Sequence, residues 1–308
     1  GAVAALATKA LANQAGGHVD AFRKHGSLIT KETSAREREV YEGIAGDPLG
    51  AFAPTYHGST TSLKEKDEKD GVCIWLQDLT LGCTRPRIMD IKLGVRTFLE
   101  SEASNSKRRV DLAKKVTKQG GTLTESEREH GITKLHYMQW REQESSTSTL
   151  GWRIEAIVPS EEQLPDTKNL RERSDNLTVL EAYLGGQEGV RRMRDGVGEV
   201  LLERLLSLRT ALEASPFFQT HEFIGSSLLF VYDEDAYDEK NPPHAAKLNG
   251  AQRGSVWMID FAKTMPIAAE LQADYSHRAP WVLGNQADGY LFGLDSLIES
   301  WQELLGSR

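Results

Sequence analysis

The chain has 308 residues, of which 39% are hydrophobic and 27% charged, and its net charge is −8. These values are typical of a folded, water-soluble protein with room for one large domain or two lobes. The negative charge argues against general nucleic-acid binding, and the sequence has no apolar run long enough to span a membrane.

The first 17 residues are rich in alanine but lack the basic start and long apolar block of a signal peptide. We therefore predict a frayed or helical leader over 1–17. The two cysteines, Cys73 and Cys83, have no metal-binding spacing. This cysteine usage favours a reducing compartment, and we expect a cytoplasmic protein.

The N-terminal third alternates between strand and helix patterns. Residues 26–33 predict a strand, and Ser34 with Glu37 has the spacing of a capping box at the start of a helix. The segments "FAPTYHGS" and "GVCIWLQDL" predict a hairpin joined by a charged loop. A further strand over 87–93 completes the pattern of an α+β lobe.

The strand over 87–93 carries an acid and a base two residues apart, Asp90 and Lys92. Residues two apart in an extended chain point to the same side, so these two side chains share one face. They can form a structural ion pair. Alternatively, one group can serve a sugar hydroxyl or metal and the other a phosphate.

Residues 97–141 are polar, charged and helical in pattern. Thr124 and Glu127 repeat the capping-box spacing. Six basic residues lie between 107 and 118 against one acid, Asp111. This concentration either meets a small anionic ligand or is a solvated helix face.

The C-terminal half begins with a strand over 151–158. A helix follows over about 189–214, because leucines recur at helical spacing and form a core stripe (Leu201, Leu205, Leu208, Leu212). The segments "FIGSSLLFVYDED" and "GSVWMIDFAKT" predict two strands, and the polar loop over 234–254 between them is predicted to be mobile. A last helix is expected over about 288–305.

Three apolar strands, "MDIKLG", "IGSSLLF" and "VWMIDFAK", end in charged or hydroxyl groups. Carboxylates that hold Mg²⁺ and lysines that neutralise phosphate oxygens are the parts of a phosphoryl-transfer site. Asp260 is the candidate metal ligand; a turn-capping role is the alternative. The sequence contains no Walker A, GxGxxG, HExxH or nucleophile-elbow motif.

Together these segments resemble the inositol polyphosphate kinases. The pattern PxxxDxKxG is met by Pro86, Asp90, Lys92 and Gly94, and SSLL and DFxK elements begin at residues 226 and 260. The resemblance extends over nearly the whole chain from about residue 13. It implies a two-lobed kinase-like α+β fold of the SAICAR synthase/inositol polyphosphate kinase type. The implied parts are an ATP-binding lobe over 18–84 and a C-terminal lobe over 85–308, with a helical substrate-binding insert over about 97–141.

The resemblance implies a role for each matching residue at the nucleotide. Lys31 aligns with the lysine on the ATP phosphates and Asp90 with the acid on the ribose side. Asp260 aligns with the Mg²⁺ and ATP ligand. Lys92 aligns with a lysine that contacts the substrate and assists the transfer. The linker whose backbone meets adenine aligns with Gln77, Asp78 and Leu79, and the phosphate and metal neighbourhood includes Ser226 and Ser227.

Within the family, "ITKLHYMQWRE" and "SSTSTLGWRIE" look most like the 3-kinases of inositol 1,4,5-trisphosphate. Such an enzyme uses ATP and Mg²⁺ to make the 1,3,4,5-tetrakisphosphate. A broader multikinase and a non-catalytic inositol-phosphate-binding module are the alternatives. The implied phosphate contacts are Lys134, Tyr137, Arg141 and Lys263, with Leu112 against the inositol ring.

Two positions depart from the family pattern. Val158 stands where relatives usually carry a phosphate-binding lysine, and Ala262 stands where a glycine is frequent. We expect the first change to remove one substrate contact and the second to be harmless. Animal relatives often bind calmodulin through a basic helix upstream of the kinase domain. Residues 1–17 lack such anchors, so we expect any calmodulin-binding segment upstream of residue 1.

Overall fold

The computed structural model describes residues 22–61, 71–158, 167–185, 191–237 and 250–306. The predicted leader over 1–17 lies outside these residues. Within them the strands are β1 Phe22–His25, β2 Leu28–Ser34, β3 Tyr56–Thr61, β4 Gly71–Gln77, β5 Pro86–Leu93, β6 Arg108–Arg109, β7 Ile132–Thr133, β8 Trp152–Val158, β9 His221–Phe223, β10 Ser227–Asp233, β11 Ser255–Ile259 and β12 Thr264–Pro266.

The helices of the described residues fall into three groups along the chain. One follows β2, five lie between β5 and β8, and the others pack in the C-terminal half. They are α1 Ala35–Gly43, α2 Glu100–Ala103, α3 Val110–Lys118, α4 Glu125–His130, α5 Lys134–Gln143, α6 Thr147–Leu150, α7 Arg173–Tyr183, α8 Arg191–Ala214, α9 Pro216–Thr220, α10 Gly250–Arg253 and α11 Tyr290–Gly306.

The first sheet is antiparallel, with strand order β1-β2-β4-β3. The strand expected over 26–33 and the hairpin formed by β3 and β4 are confirmed. The charged loop of that hairpin lies outside the described residues. The edge strand β1 was not predicted, because its sequence FRKH has three basic residues and no alternation.

The capping prediction at Ser34 is only half right. The Ser34 side chain accepts a hydrogen bond from the Glu37 backbone N–H at 3.4 Å, so α1 begins where expected. The Glu37 carboxylate does not return to the cap as a capping box requires. It is fully buried and binds groups from outside the helix.

The second sheet is antiparallel, with strand order β11-β10-β5-β8. In its register Asp90 faces Leu229, Lys92 faces Ser227, and Ser227 faces Ile259. Seven of the eight residues of β5 are buried, because the strand lies between β10 and β8. The central strand therefore carries Asp90 and Lys92 into the interior of the protein.

The core of the C-terminal half is built by α8 packed against α11. The leucine stripe of α8 is fully buried, which confirms its predicted core role (Leu201, Leu205, Leu208, Leu212). The sequence reasoning missed α7. The predicted mobile loop over 234–254 contains a 3₁₀ turn at Glu234–Tyr237 and α10, and its remainder lies outside the described residues. None of the described helices combines the length and apolarity that crossing a membrane requires.

The segment over 97–141 is mostly helical, as expected, and has a hydrophobic cluster of its own. Thr124 and Glu127 form both hydrogen bonds of the predicted capping box. The two-residue pairing of β6 with β7 was not predicted, since two residues show no periodicity. The last helix of the segment, α5, continues two residues beyond Arg141.

A buried arginine fixes the end of β5 to the segment before α11. Arg96 is 1% exposed and forms an ion pair with Glu222. It also donates to the carbonyl oxygens of Phe98, Gln286 and Ala287 at 2.6–2.8 Å. These contacts hold the start of the helical segment against the C-terminal core.

We predict that Arg96→Met lowers the free energy of unfolding by about 3–5 kcal/mol, since it leaves the buried Glu222 carboxylate without its cation. The matched variant Arg278→Met removes a half-exposed arginine paired with Glu213 and Asp295. That change should cost at most about 1 kcal/mol. Urea unfolding measures both values. Equal losses in the two variants would contradict a central role for Arg96.

Candidate active site

A cleft of about 690 Å³, counted to its open mouth, lies between the two sheets. Much of the lining is apolar and comes from β1, β2, β4, β10, β11 and the segment before β3 (Phe22, Ile29, Leu76, Leu229, Ile259, Pro54). The charged groups Lys31, Asp90 and Asp260 also line it. The cleft therefore combines apolar walls with charges from both sheets.

Lys31 joins the two halves of the cleft. Its ammonium donates to Glu37 Oε1 and to Asp260 Oδ1, each at 2.8 Å. Burial alone would lower the pKa of Lys31, but the charges of Asp260 and Glu37 outweigh it and raise the pKa above its usual value. Lys31 is therefore a fixed cation at the wall of the cleft.

Asp260 is held in an unusual backbone conformation directly after β11. Its φ of 65° lies in the left-handed region, which costs a residue with a Cβ of order 1 kcal/mol or more. Burial opposes ionisation of its carboxyl, but Lys31 and Lys92 outweigh that effect and lower the pKa. The strained backbone of Asp260 thus places its carboxylate between Lys31 and Lys92.

Lys92 lies at the same edge of the second sheet as Asp260. Its Nζ is 3.9 Å from Asp260 Oδ2 and donates to Ser227 Oγ at 3.2 Å and to the Gly225 carbonyl at 3.3 Å. Among the described residues Lys92 forms no ion pair with Asp90. The sequence left open a structural ion pair between Asp90 and Lys92. The structure pairs Lys92 with Asp260 instead.

Asp90 lines the cleft with little compensation for its charge. It is 4% exposed, and one of its oxygens, Oδ1, is buried without a hydrogen-bond partner among the described residues. Burial raises the pKa of Asp90 to about 6, although Lys92 and a hydrogen bond with Ser227 oppose the rise. A buried acceptor without a donor is available to a ligand hydroxyl.

The predicted linker residues Gln77, Asp78 and Leu79 all line the cleft where β4 ends. The Asp78 carboxylate accepts from the Thr80 backbone N–H and hydroxyl at 2.9 and 2.7 Å and forms an ion pair with Lys24. These bonds fix the turn between the sheets.

The insert (residues 97–141) reaches the active-site end of the second sheet through Glu102. Its carboxylate accepts from Lys263 at 2.7 Å and from Lys134, the first residue of α5. Lys263 also donates to the Thr97 carbonyl at 3.0 Å. The structure thus brings together two of the sequence-predicted phosphate contacts, Lys134 and Lys263.

Arg141 is half-buried and forms no ion pair or hydrogen bond with the described residues. The two acids that could have paired with it on the helix surface have other partners. Glu142 accepts from Thr97, and Glu144 pairs with Arg171. The guanidinium of Arg141 is therefore free to meet an anion.

Three of the predicted site residues are packed against other parts of the protein. Leu112 is 4% exposed and belongs to the hydrophobic cluster of the insert, and Tyr137 packs against that cluster. Ser226 is fully buried where β10 begins. Leu112 packs within this cluster, and its expected contact with the inositol ring stays a prediction.

Val158, the valine in place of the usual lysine, lies in apolar surroundings. It pairs with Ile88 at the far end of β8 and packs against an apolar cluster that includes Leu79 and Leu229. A valine at this position extends the hydrophobic wall behind the linker.

Glu37 and Glu102 are the two residues of this region that sequence reasoning missed. The sequence pattern gives Glu37 only a helix-capping role and gives Glu102 none. Helix-capping patterns do not reveal where a carboxylate points. The position of Glu37 could have been noticed, because it lies six residues after Lys31, in the first turn of the helix that follows β2. For Glu102 we find no sequence signal.

We predict that Asp90→Asn stabilises the protein at neutral pH. The folded-state pKa lies above the unfolded value, so ionisation of Asp90 costs stability as the pH rises through about 6. A difference of about 2 pKa units corresponds to at most about 3 kcal/mol in the free energy of unfolding at pH 7.5.

This gain should shrink below about pH 4, where the carboxyl is protonated in the folded protein. Urea unfolding at pH 7.5 and pH 4 tests it, with Asp274→Asn at an exposed position as the control. A gain of equal size at both pH values, or a loss at pH 7.5, would contradict this assignment.

Comparisons with known proteins identify the family of the chain. The sequence profile described as inositol polyphosphate kinase matches residues 73–302. Human inositol-trisphosphate 3-kinase A is 39% identical over 295 residues, which cover 92% of this chain and 57% of the relative. The inositol-trisphosphate 3-kinase homolog of Caenorhabditis elegans is 41% identical over 275 residues, covering 87% and 49%.

A solved structure has the same fold. The inositol phosphate multikinase Ipk2 of S. cerevisiae, in complex with ADP and Mn²⁺, covers 91% of this chain and 100% of its own, with a TM-score of 0.57 and 20% identity. The fold is therefore the α+β kinase-like fold expected from the sequence. The chain spans about half the length of the curated relatives it matches. Because the family profile covers well over half of its residues, the chain belongs to the inositol polyphosphate kinase family.

Proposed function

We propose that this chain is an ATP-dependent kinase that phosphorylates the 3-hydroxyl of inositol 1,4,5-trisphosphate. The observation that carries the proposal is the Asp260 carboxylate, which lies between Lys31 at the cleft and Lys92 at the end of β5. Relatives named as inositol-trisphosphate 3-kinases, at 39% and 41% identity, support the substrate.

ATP is the proposed occupant of the cleft. Adenine lies between the apolar walls and meets the backbone of Gln77, Asp78 and Leu79. The unpartnered oxygen of Asp90 accepts a ribose hydroxyl. Lys31 is positioned to neutralise phosphate oxygens, as its fixed charge at the wall of the cleft requires no rearrangement.

The acids of the cleft fit a divalent cation that is shared with the nucleotide. The described residues contain no group of three or more potential metal-ligating side chains. Mg²⁺ usually takes one or two carboxylates together with substrate phosphates and water, so Asp260 suffices as the protein ligand. The metal supplies charge neutralisation at the transferred phosphoryl group. The complex of the yeast multikinase with ADP and Mn²⁺ supports this combination of ligands.

In the proposed reaction the 3-hydroxyl oxygen of the inositol attacks the γ-phosphorus of ATP. A new O–P bond forms as the bond to the β-phosphate oxygen breaks, ADP leaves, and the hydroxyl proton is released. Lys92, held by Ser227 and the Gly225 carbonyl, is placed to stabilise charge on the transferred group. A loose transfer depends mainly on positioning and electrostatics.

Lys263, Lys134 and Arg141 are the proposed contacts for the phosphates of the substrate. The first two converge on Glu102, and Arg141 lies two turns along α5 from Lys134. An arginine without an internal partner suits bidentate phosphate binding. The helical insert that carries two of these residues favours a 3-kinase over a broader multikinase. The combination of Lys31, Asp90, Lys92 and Asp260 in one cleft argues against a non-catalytic binding module.

The product of the reaction tests the proposal directly. The protein is incubated with ATP, Mg²⁺ and a panel of inositol phosphates, and the products are separated by chromatography. We expect conversion of the 1,4,5-trisphosphate to the 1,3,4,5-tetrakisphosphate. Comparable turnover of several substrates would instead favour a multikinase, and no turnover of any would favour a binding module.

We predict that Lys92→Met reduces kcat/KM at least a hundredfold, or about 3 kcal/mol of transition-state stabilisation, because the methionine keeps the stem and removes the charge. Steady-state kinetics measures the loss, with Lys114→Met in the exposed face of α3 as control. Asp260 keeps its bond to Lys31, so thermal unfolding should change little. Activity within a few-fold of wild type would mean that Lys92 has only a structural role.

We predict that Arg141→Ala raises KM for the inositol phosphate about ten- to a hundredfold and leaves KM for ATP nearly unchanged, since one charge-assisted phosphate contact is lost. Arg128→Ala, at an exposed position of α4, removes the same charge from the insert away from α5. This control should alter neither constant. An equal rise in both KM values for Arg141→Ala would indicate a disturbed lobe and contradict the assignment.

A further inference from the structure

Glu102 brings the two lysines from separate parts of the fold onto one carboxylate. Lys134 belongs to the insert, whereas Lys263 follows β11 and Asp260 in the second sheet. Each lysine donates to a different oxygen of Glu102. Two oxygens of one phosphate group could bind the same two ammonium groups. The carboxylate of Glu102 therefore occupies a position that a phosphate would take.

The carboxylate of Glu102 is held in place by its own helix. Its Oε2 accepts the Leu99 backbone N–H at 2.9 Å, which caps the first turn of α2. Burial opposes its ionisation, but the bonds from Lys134 and Lys263 outweigh that effect and lower the pKa of Glu102 to about 2. The group is therefore an anion at every physiological pH, and it is not free to leave the site.

The lysines, in contrast, remain open to solvent. The side chains of Lys134 and Lys263 are 41% and 31% exposed, while that of Glu102 is 20% exposed. An arriving phosphate can reach both ammonium groups from outside but has to share them with the carboxylate. The mutual repulsion of the two anions then reduces the gain from each contact.

We propose that Glu102 is a fixed internal anion that limits how much phosphate charge the substrate site accepts. It thereby disfavours inositol phosphates that carry more phosphate groups than the substrate. The inference rests on the proposed function, because it takes Lys134 and Lys263 as phosphate contacts. It assigns Glu102 a role in specificity and not in the transfer step.

The sign of the effect separates this role from a purely structural one. If Glu102 only positioned the two lysines, its loss would weaken binding of every inositol phosphate. If it repels phosphate, its loss strengthens binding, and the gain increases with the number of phosphate groups. Glu102→Gln keeps the length of the side chain and an oxygen for the Leu99 N–H, and it removes the charge.

The experiment is calorimetric titration of the whole chain with inositol 1,4,5-trisphosphate and with inositol hexakisphosphate, without ATP or metal. For Glu102→Gln we expect Kd for the trisphosphate to fall about three- to tenfold, as for the loss of one partly exposed charge, and Kd for the hexakisphosphate to fall further. Glu125→Gln removes the same charge from the exposed N-terminus of α4 and should change neither constant by more than about twofold.

Kinetics supplies a second measurement. KM for the trisphosphate should fall in Glu102→Gln while KM for ATP stays unchanged. An unchanged or raised Kd for both inositol phosphates, or an equal fall for the two, would overturn the role in specificity. If Glu102→Gln does not fold, Glu102→Asp decides, since its shorter side chain withdraws the charge from the lysines and should give a smaller gain of the same sign. Wild-type protein that phosphorylates no inositol phosphate would instead refute the proposed function.

Discussion

The site depends on the placement of one cation, Lys31, between the acids Glu37 and Asp260. The three residues belong to β2, α1 and the turn after β11, so a single ammonium joins both sheets and the helix between them. The charges of both carboxylates offset its desolvation. Glu37 in turn accepts the Phe261 backbone N–H, which fixes the segment that presents Asp260. The proposed nucleotide and metal sites are thereby built around a charge that is already in position.

The antiparallel register of the second sheet distributes the remaining groups along the cleft. Side chains two residues apart on one strand face are about 7 Å apart, so Asp90 and Lys92 of β5 are spaced for the proposed contacts with the ribose and with the transferred phosphoryl group. Pairing with β10 sets Ser227 opposite Lys92, and pairing of β10 with β11 places Ile259, and then Asp260, at the same edge. A slip of one residue would turn every one of these groups to the opposite face.

The sequence predicted the long elements well, because burial imposes periodicity on them. The strand over 87–93 and the leucine stripe of α8 are examples of this. It failed where long-range contacts decide the outcome. The spacing of Ser34 and Glu37 correctly located a helix start, but Lys31 and Phe261 draw the Glu37 carboxylate away from the cap.

The net charge of −8 would be expected to repel anionic ligands. Several of the acids, however, are paired with the lysines of the proposed site. The lysines of the proposed nucleotide and substrate sites are paired with acids: Lys31 with Glu37 and Asp260, and Lys134 and Lys263 with Glu102. Such pairing limits repulsion between converging lysines and orients them before a ligand arrives. It also means that each phosphate competes with a carboxylate already present. Affinity at these lysines then reflects a difference between two anions, whereas Arg141 has no acid partner among the described residues and keeps its full charge for a ligand.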